Sequence, residues 1–481
     1  MNNIFAKATS LPTVKKNEYT FYLCLAILFI WSVHSKYETH YTLNTHPAGP
    51  VRDVISQIIA LKIVVITFIL LYKNFLSRTT LFFFAAASFI VLGKFVGFYD
   101  LTLALQSVKI NTLALLFGTN LFSIMLAETG FFNLVCKRLI ERFGSYHYAL
   151  LVILCLITYS LSLFLNNLTT MILVLPLTLT LTNTLRLNAV PFVIAEIIAA
   201  NLGGASSMIG DFPNILIASE MNIPFHSFIK NMMPLCLVNL GIMLAFFYYK
   251  VAFKASTESI KITLPDAEII HPRALKLCLV TLAFWIVIFM FPIIPAGLMA
   301  LCTSFVLLLT CGIDRATIIK KIRYQDLLFF LFLFIFVGGV QYSGLLKTVV
   351  DGLFFLAGKN SFLQCIFLMW AACLVTTLLN AGPTAALFLP MFLMVGGFHP
   401  DTLIFWALSL GVCAGSSGTL NGATAGPVVS TMMAQFNQET KTTDPDDYLT
   451  FGGYAKYGLP IMYLHLMTAT IYICFIYLRS N

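Results

Sequence analysis

The chain has 481 residues, 59% of them hydrophobic and 10% charged, with a net charge of +9 and a mean hydropathy of +0.90. A soluble domain carries about 25% charged residues, so this composition excludes a soluble globular class and requires a polytopic membrane protein. The 29 Lys and Arg against 20 Asp and Glu form no run suited to nucleic acid; the excess reads as positive-inside bias in cytoplasmic loops.

Apolar windows of about 20 residues mark the membrane spans. Lys7, Lys15 and Lys16 precede a first window, Tyr19 to Val33, but Trp31, His34 and Lys36 follow in place of a small-residue cleavage site. It reads as an uncleaved span, not a signal peptide. Span 2 is Ile55 to Leu76, span 3 Leu81 to Tyr99 and span 4 Thr112 to Leu126; Phe131 to Phe143 is then a basic amphipathic helix lying at the interface. Tyr148 to Leu165 and Met171 to Leu185 form an apolar hairpin with Asn166-Asn167-Leu168-Thr169-Thr170 at its tip. Asparagines at that depth are costly unless paired, and Arg142 and Arg186 flank both ends, which favours a re-entrant hairpin.

Span 5 begins at Pro191 to Ala200, breaks at Leu202 to Asn214 (LGGASSMIGDFPN) and ends with Ile215 to Met221; span 6 is Met232 to Tyr249. Polar, irregular backbone at membrane depth survives only inside protein or beside a watery cavity. A helix broken in this way marks a transporter's binding site. The charged loop Lys250 to Lys276 leads to spans 7 and 8, Leu277 to Phe291 and Ala296 to Cys311, then to span 9, Leu327 to Tyr342, and a second amphipathic segment, Gly344 to Gly358. Phe362 to Leu379 and Ala385 to Val395 form a second hairpin around Asn380-Ala381-Gly382-Pro383-Thr384; span 10 starts near Leu403 and breaks at Gly415 to Gly426 (GSSGTLNGATAG); span 11 is Tyr457 to Tyr477. With the N-terminus inside, the basic clusters Lys73/Arg78, Lys137/Arg138/Arg142, Arg186 and Arg315 to Arg323 fall inside and the C-terminus outside. Counting each hairpin as two crossings leaves that parity unchanged.

One spacing recurs. Asn166, Thr170 and Pro176 reappear as Asn380, Thr384 and Pro390, and Thr129-Gly130 as Ser343-Gly344, each 214 positions later; Gly203, Ser207 and Gly210 reappear as Gly415, Thr419 and Gly422, 212 later. The copies begin five crossings apart, which makes the repeat inverted. The expected architecture is an all-α polytopic membrane protein of about 11 transmembrane helices plus two re-entrant hairpins in two inverted repeats. Its parts are 1–108 (spans 1–3), 109–252 (repeat 1), 253–326 (cytoplasmic loop and spans 7–8) and 327–481 (repeat 2). Two tips and two breaks then meet near the midplane. Unwound backbone there offers free N–H groups to anions and carbonyls to cations.

The runs LFLNNLTTMILVLP and NLGGASSMIGDFPNILIAS resemble the ion transporter superfamily with its citrate transporter-like domain, nearest the arsenite, sodium–proton antiporter and P protein branch. The likeness includes ETGFF from Glu128, DLLFFLFLFIFVGG from Asp326, NAGPTAALFLP and GSSGTLNGATAG, and runs from about Leu113 to Ile471. It implies a scaffold, a mobile transport domain and elevator-type alternating access. By the same resemblance the binding residues are Asn166, Asn167, Thr169 and Thr170 at the first tip and Asn380, Pro383 and Thr384 at the second. From the breaks come Gly204, Ser206, Ser207, Asp211 and Asn214, with Ser417, Thr419 and Asn421; Asn167, Ser207, Asn380 and Thr419 are the candidate Na⁺ ligands. A homodimer is implied too. The sequence departs from the family pattern in three places: Asn166 stands where many antiporters have Asp, Ala381-Gly382 where a second Asn is common, and Phe212 where the pattern has the first proline of DPPN.

Several residues keep two readings. Asp211 is an intramembrane carboxylate with a functional role or the N-cap of the second half-helix. Glu196 is a proton relay or one half of a structural ion pair. Glu128 belongs to the cytoplasmic interface, Lys94 snorkels, and His465 is a packed helix residue. Gly415-Ser416-Ser417-Gly418 fits the short GxSG of intramembrane serine proteases, with Ser417 as nucleophile, and a passive channel is a further alternative. The eleven cysteines form no CxxC pair, so neither a zinc site nor a disulfide framework is expected, and no cofactor is called for. The expectation is therefore a bacterial inner-membrane secondary transporter, not an enzyme, that moves a small-molecule anion or inorganic ion across the lipid bilayer, coupled to Na⁺ or H⁺. An arsenite-type or Na⁺/H⁺ antiporter without a carboxylate substrate is the alternative.

Overall fold

The computed structural model describes residues 52–73, 76–143, 147–250, 268–289, 294–358, 360–395, 403–440 and 448–480. The expected first span, Tyr19 to Val33, lies outside them, as does most of the charged loop before Lys276. Among the described residues every regular element is a helix, and eight helices are long and apolar enough to cross a membrane. The all-α polytopic expectation is borne out.

In chain order the first half holds α1 (Arg52–Tyr72), α2 (Arg78–Val96), α3 (Leu101–Gln106), α4 (Ile110–Glu128), α5 (Phe131–Phe143), α6 (His147–Ser162), α7 (Asn167–Thr184), α8 (Ala189–Ser206), α9 (Phe212–Met221) and α10 (Phe225–Lys250). The second half holds α11 (Pro272–Ile288), α12 (Ala296–Thr310), α13 (Arg315–Lys321), α14 (Tyr324–Tyr342), α15 (Leu345–Ala357), α16 (Ser361–Leu379), α17 (Ala381–Leu393), α18 (Leu403–Ser416), α19 (Gly426–Glu439) and α20 (Phe451–Ser480). The starts of α3 to α9, at 101, 110, 131, 147, 167, 189 and 212, recur 214 positions later at 315, 324, 345, 361, 381, 403 and 426. The final pair, at 225 and 451, is 226 apart, and each carries a proline at the same depth, Pro234 and Pro460.

The local chemistry repeats with the spacing. After α4, Thr129 Oγ1 donates to the Leu126 carbonyl at 2.7 Å and accepts from the Phe131 N–H at 3.3 Å. After α14, Ser343 Oγ does the same to Val340 and Leu345, at 2.7 and 3.3 Å. Each hydroxyl is followed by a glycine with φ near +80°, Gly130 at 78° and Gly344 at 80°, a conformation glycine adopts without steric cost. The chain thus leaves the span and runs directly into the amphipathic helix.

Packing follows the same symmetry. α4 lies against α12, and its counterpart α14 lies against α2, so each half's first span rests on a helix that precedes the other half's. Phe82 meets Phe329 and Phe336 edge-on, and Phe89 meets Phe336, across α2 and α14. On the other side Ser304 Oγ donates to the Gly118 carbonyl at 2.8 Å, where a Cβ on Gly118 would strike the Ala300 backbone. These helices, with α1 and α11, form a frame whose outer faces present Val54, Ile58, Val65, Val280 and Val287 to lipid. Beside it, α6 to α8 and α10 pack on one another as α16 to α18 and α20 do, with exposed apolar residues of their own such as Val238, Leu374 and Ile471. Every residue from Phe192 to Ser219 is buried, which makes the first broken helix the centre of this inner bundle.

Candidate functional site

Both broken helices are broken by the same device. α8 ends at Ser206, Ser207 is extended (φ −129°, ψ 164°), and the chain stays unwound until Phe212. Ser207 Oγ donates to the Leu163 carbonyl of the first hairpin at 2.6 Å and accepts from the Gly210 N–H at 3.1 Å. Its counterpart Thr419 Oγ1 donates to the Thr377 carbonyl at 2.5 Å and accepts from the Gly422 N–H at 3.0 Å. Each hydroxyl holds an unwound loop against the hairpin of its own half and satisfies a backbone donor that the helix break has freed. Helix resumes with a proline in its first turn, Pro213 in α9 and Pro427 in α19, where a missing N–H costs nothing. The second break is longer: α18 ends at 416 and α19 starts at 426, against 206 and 212 in the first.

The tips are less loop-like than the sequence suggested. α7 starts at Asn167 and α17 at Ala381, so Asn167, Thr169 and Thr170, and Pro383 and Thr384, lie in first helical turns. Asn166 is the N-cap of α7 and accepts from the Thr169 N–H at 2.8 Å. Asn380 alone joins α16 to α17, with φ 94° and ψ 154°, a region otherwise almost confined to glycine. Its Oδ1 accepts from the Gly382 N–H at 3.3 Å and its Nδ2 donates to the Asn421 carbonyl at 3.2 Å. Thr384 Oγ1 donates back to the Asn380 carbonyl at 2.9 Å. Its repeat partner Thr170 is fully buried, and its hydroxyl has no hydrogen-bond partner.

One amide network ties both halves together. Asn167 Oδ1 accepts from Ser162 at 2.6 Å, and its Nδ2 donates to Asn201 Oδ1 at 3.3 Å. Asn201 Nδ2 in turn donates to the Ser416 carbonyl at 3.0 Å, at the end of α18. Asn214 forms the second tie: its Nδ2 caps the carbonyls of Ala205 and Ser207, both at 2.8 Å, and its Oδ1 accepts from Ser409 of α18 at 2.5 Å. Gly204 leaves room for this crowding, since a Cβ there would overlap Asn167 Oδ1 and stand 3.1 Å from the Asp211 Cβ. Ser206 shares a 2.7 Å hydrogen bond with Tyr159, and Ser417 Oγ donates to the Cys413 carbonyl at 3.2 Å.

Asp211 takes the capping position: it is the N-cap of α9 and accepts from the Phe212 N–H at 2.9 Å. The counterpart N-cap on α19 is Ala425, with no side-chain cap. The equivalence in space is therefore Ala425, not the Ala423 that a 212-residue spacing selects, because the longer second break shifts the register. Phe212 stacks on Phe330 of α14, ring centroids 3.8 Å apart, beside Gly382 of the second tip. The residue that replaces a family proline thus links the bundle to the frame. Sequence reading missed Asn201, Ser162 and Ser409. A polar residue in the apolar run before the break was the signal for Asn201; for the serines there was none. Among the described residues no cluster of three His, Cys, Asp or Glu side chains is placed to hold a metal ion. His465 Nε2 lies 3.2 Å from the Asn239 carbonyl and Ser417 bonds Cys413, so the two are engaged with separate partners.

Comparisons with known proteins show the family. The citrate transporter (CitMHS) family matches residues 63–411. Magnetosome protein MamN of Paramagnetospirillum magneticum is 32% identical over 431 residues, covering 86% of this chain and 98% of its own. An uncharacterized transporter of Mycobacterium tuberculosis is 28% identical, covering 78% and 90%. Human P protein is 24% identical over 78% of this chain, which spans 54% of that protein's length. The crystal structure of the Alcanivorax borkumensis YdaH transporter, described as having an unusual topology, matches with a TM-score of 0.51 over 95% of this chain and 97% of its own. At 14% identity that likeness is one of fold alone. With its matched span, its relatives and its paired broken helices, the chain belongs to the citrate transporter family and is a multi-pass membrane transporter.

Proposed function

We propose that the protein is a secondary active transporter that moves a small anion or inorganic ion, coupled to Na⁺ or H⁺, by elevator-type alternating access. The observation that carries this reading is the crossing of two hairpin tips with two broken helices, knit across the halves by Asn201 to Ser416 and by Ser409 to Asn214. A buried crossing of this kind belongs to a bundle that moves as one body around a fixed site. The repeated halves, in opposite orientations, provide two equivalent ways for the bundle to sit in the frame.

The chemistry of the site supports an ion. Thr170 has a buried hydroxyl without a partner, and a polar group left so is costly unless something binds it. Asn167, Ser207, Asn380 and Thr419 are the Na⁺ ligands we propose. Thr419 Oγ1 accepts one backbone bond and keeps one lone pair, whereas Ser207 Oγ accepts from both the Ile209 and Gly210 N–H groups and exchanges one of them for the ion. The uncapped N-terminus of α19 suits a carboxylate, in keeping with the family's description. Asp211 at the matching N-terminus favours a cation or proton, which supports the antiporter as the second reading. We place the protein in a bacterial inner membrane as a homodimer, N-terminus cytoplasmic and C-terminus outside.

Flux into proteoliposomes, with a panel of carboxylates, oxyanions and Na⁺ under separate Na⁺ and pH gradients, tests the proposal. Accumulation of one solute driven by one gradient is expected; none for any member would remove it. Asn167→Ala and Thr384→Ala are each expected to cut flux at least about tenfold, the effect of some 1.4 kcal/mol, with expression retained. Native rates in both would place the site elsewhere.

A further inference from the structure

The bundle holds an acidic side chain that the hairpin-tip site does not use. Glu196 on α8 has no exposed surface. Thr178 Oγ1, on α7, donates to its Oε1 at 2.5 Å, while Oε2 has no hydrogen-bond partner. The structural pairing with a basic side chain that its position suggested is not found: Glu196 forms no ion pair among the described residues.

The titratable groups facing it are two buried thiols, Cys136 from α5 and Cys155 from α6. Tyr159 of α6 shares its hydroxyl hydrogen bond with Ser206, at the far end of α8 from Glu196. Cys413 Sγ of α18 lies 3.7 Å from the Asn201 carbonyl. His465 of α20 faces the Asn239 carbonyl, and Tyr472 donates to the Asn231 carbonyl at 2.6 Å. Among the described residues no ion pair neutralises a carboxylate at this position. An ionised group at such depth without a counter-charge is costly, and the cost falls away when the group carries a proton. The partnerless oxygen is the atom free to take it.

The placement joins this carboxyl to the tip. Asn201 follows Glu196 by five residues on α8, about 7.5 Å along the axis. On α7, Thr170 and Thr178 are separated by two steps of four residues and so share a face; both are buried. One end of this stretch of the α7–α8 interface has the unpartnered Thr170 hydroxyl, and the other has the unpartnered Glu196 oxygen.

We propose that Glu196 is a proton-binding site of the bundle, distinct from the hairpin-tip site, and that H⁺ taken up there is the coupling ion. Uptake adds one proton to one carboxylate oxygen, making a neutral acid, with no other bond formed or broken. The binding half stands on the geometry alone; the coupling half rests on the transporter reading above. The test is infrared difference spectroscopy of the full chain in lipid vesicles between acid and alkaline buffer, read without any flux. A carbonyl-stretch band of a buried protonated acid is expected in the native protein, lost in Glu196→Gln, shifted in Thr178→Val and kept in Glu128→Gln. No such band, or a difference spectrum unchanged in Glu196→Gln, overturns the site. If Glu196→Gln fails to fold, Glu196→Asp serves in its place: the band should then persist at an altered frequency, and an unaltered band overturns the assignment. For the coupling half, Glu196→Gln is expected to lose at least tenfold of the pH-gradient dependence of flux. An unchanged dependence in a protein whose band was lost overturns coupling while leaving the site.

Discussion

Gly203→Ala and Gly415→Ala are expected to lower thermal stability sharply, whereas Gly241→Ala is expected to leave it unchanged or raise it. The three glycines lie in helices, where alanine is favoured over glycine by about 1 kcal/mol. Propensity alone therefore predicts a gain at all three. Contacts reverse the sign at two of them. A Cβ on Gly203 would collide with the Tyr159 carbonyl and sit 3.0 Å from the Ser162 Cβ; one on Gly415 would collide with the Cys373 carbonyl and sit 2.7 Å from the Thr376 Cβ. These are backbone and Cβ atoms of the neighbouring hairpin arms, which no rotamer change can move aside. Overpacking of this kind costs about 1–3 kcal/mol and occasionally more, and it separates a broken helix from the hairpin that holds it. Gly241 on α10 has nothing within 4 Å of the same position. Thermal unfolding of the three variants in detergent checks the signs; equal shifts for all three would mean that the close approach of α8 to α6, and of α18 to α16, is wrong.

Asn201→Leu is expected to impair both stability and transport, more than any single substitution among the tip residues. Its side chain is the joint between the halves, with Asn167 on one side and the Ser416 carbonyl on the other. Leucine fits the volume but pairs with neither. Each buried group stranded in this way costs about 1–3 kcal/mol, and the amide of Asn167, freed on one side, no longer fixes the first tip. Two readings on the same preparation separate the effects: the unfolding temperature and the flux per reconstituted molecule. A variant with native values in both would show that the two broken helices are not coupled through this amide.

The repeat was legible in the sequence because it consists of residues with special backbone roles. Thr129-Gly130 and Ser343-Gly344 form the same left-handed turn, and Ser207 and Thr419 form the same bridge to a hairpin carbonyl. Few residue types can do these jobs, so both copies keep them at a fixed spacing even where the apolar residues between have changed. The break itself was legible from its glycines and polar side chains. The pairing of α4 with α12 and of α14 with α2 was not, because lipid-facing and buried leucines look alike when the solvent is hydrocarbon. Asp211 as an N-cap was one of two readings, and the capping bond to the Phe212 N–H depends on a side-chain direction that the residues alone do not give. The length of the second break was hidden for a different reason. Gly422, Ala423 and Ala425 are compatible with helix or coil, so nothing in the residues fixes where α19 begins.

Movement of the bundle past the frame would have to open the contact between α9 and α4. Thr112 on α4 and Ser219 on α9 share a 2.6 Å hydrogen bond, next to an ion pair of Lys109 with Glu220 at 2.7 Å. The counterpart helix α19 packs on α7 instead, an asymmetry of the kind that two alternating arrangements produce. Cysteines in place of Thr112 and Ser219 put two sulfurs within bonding reach. Oxidising Thr112→Cys/Ser219→Cys protein in proteoliposomes is expected to abolish gradient-driven flux, with reduction restoring it and neither single variant responding. Native flux through the cross-linked protein would contradict such movement.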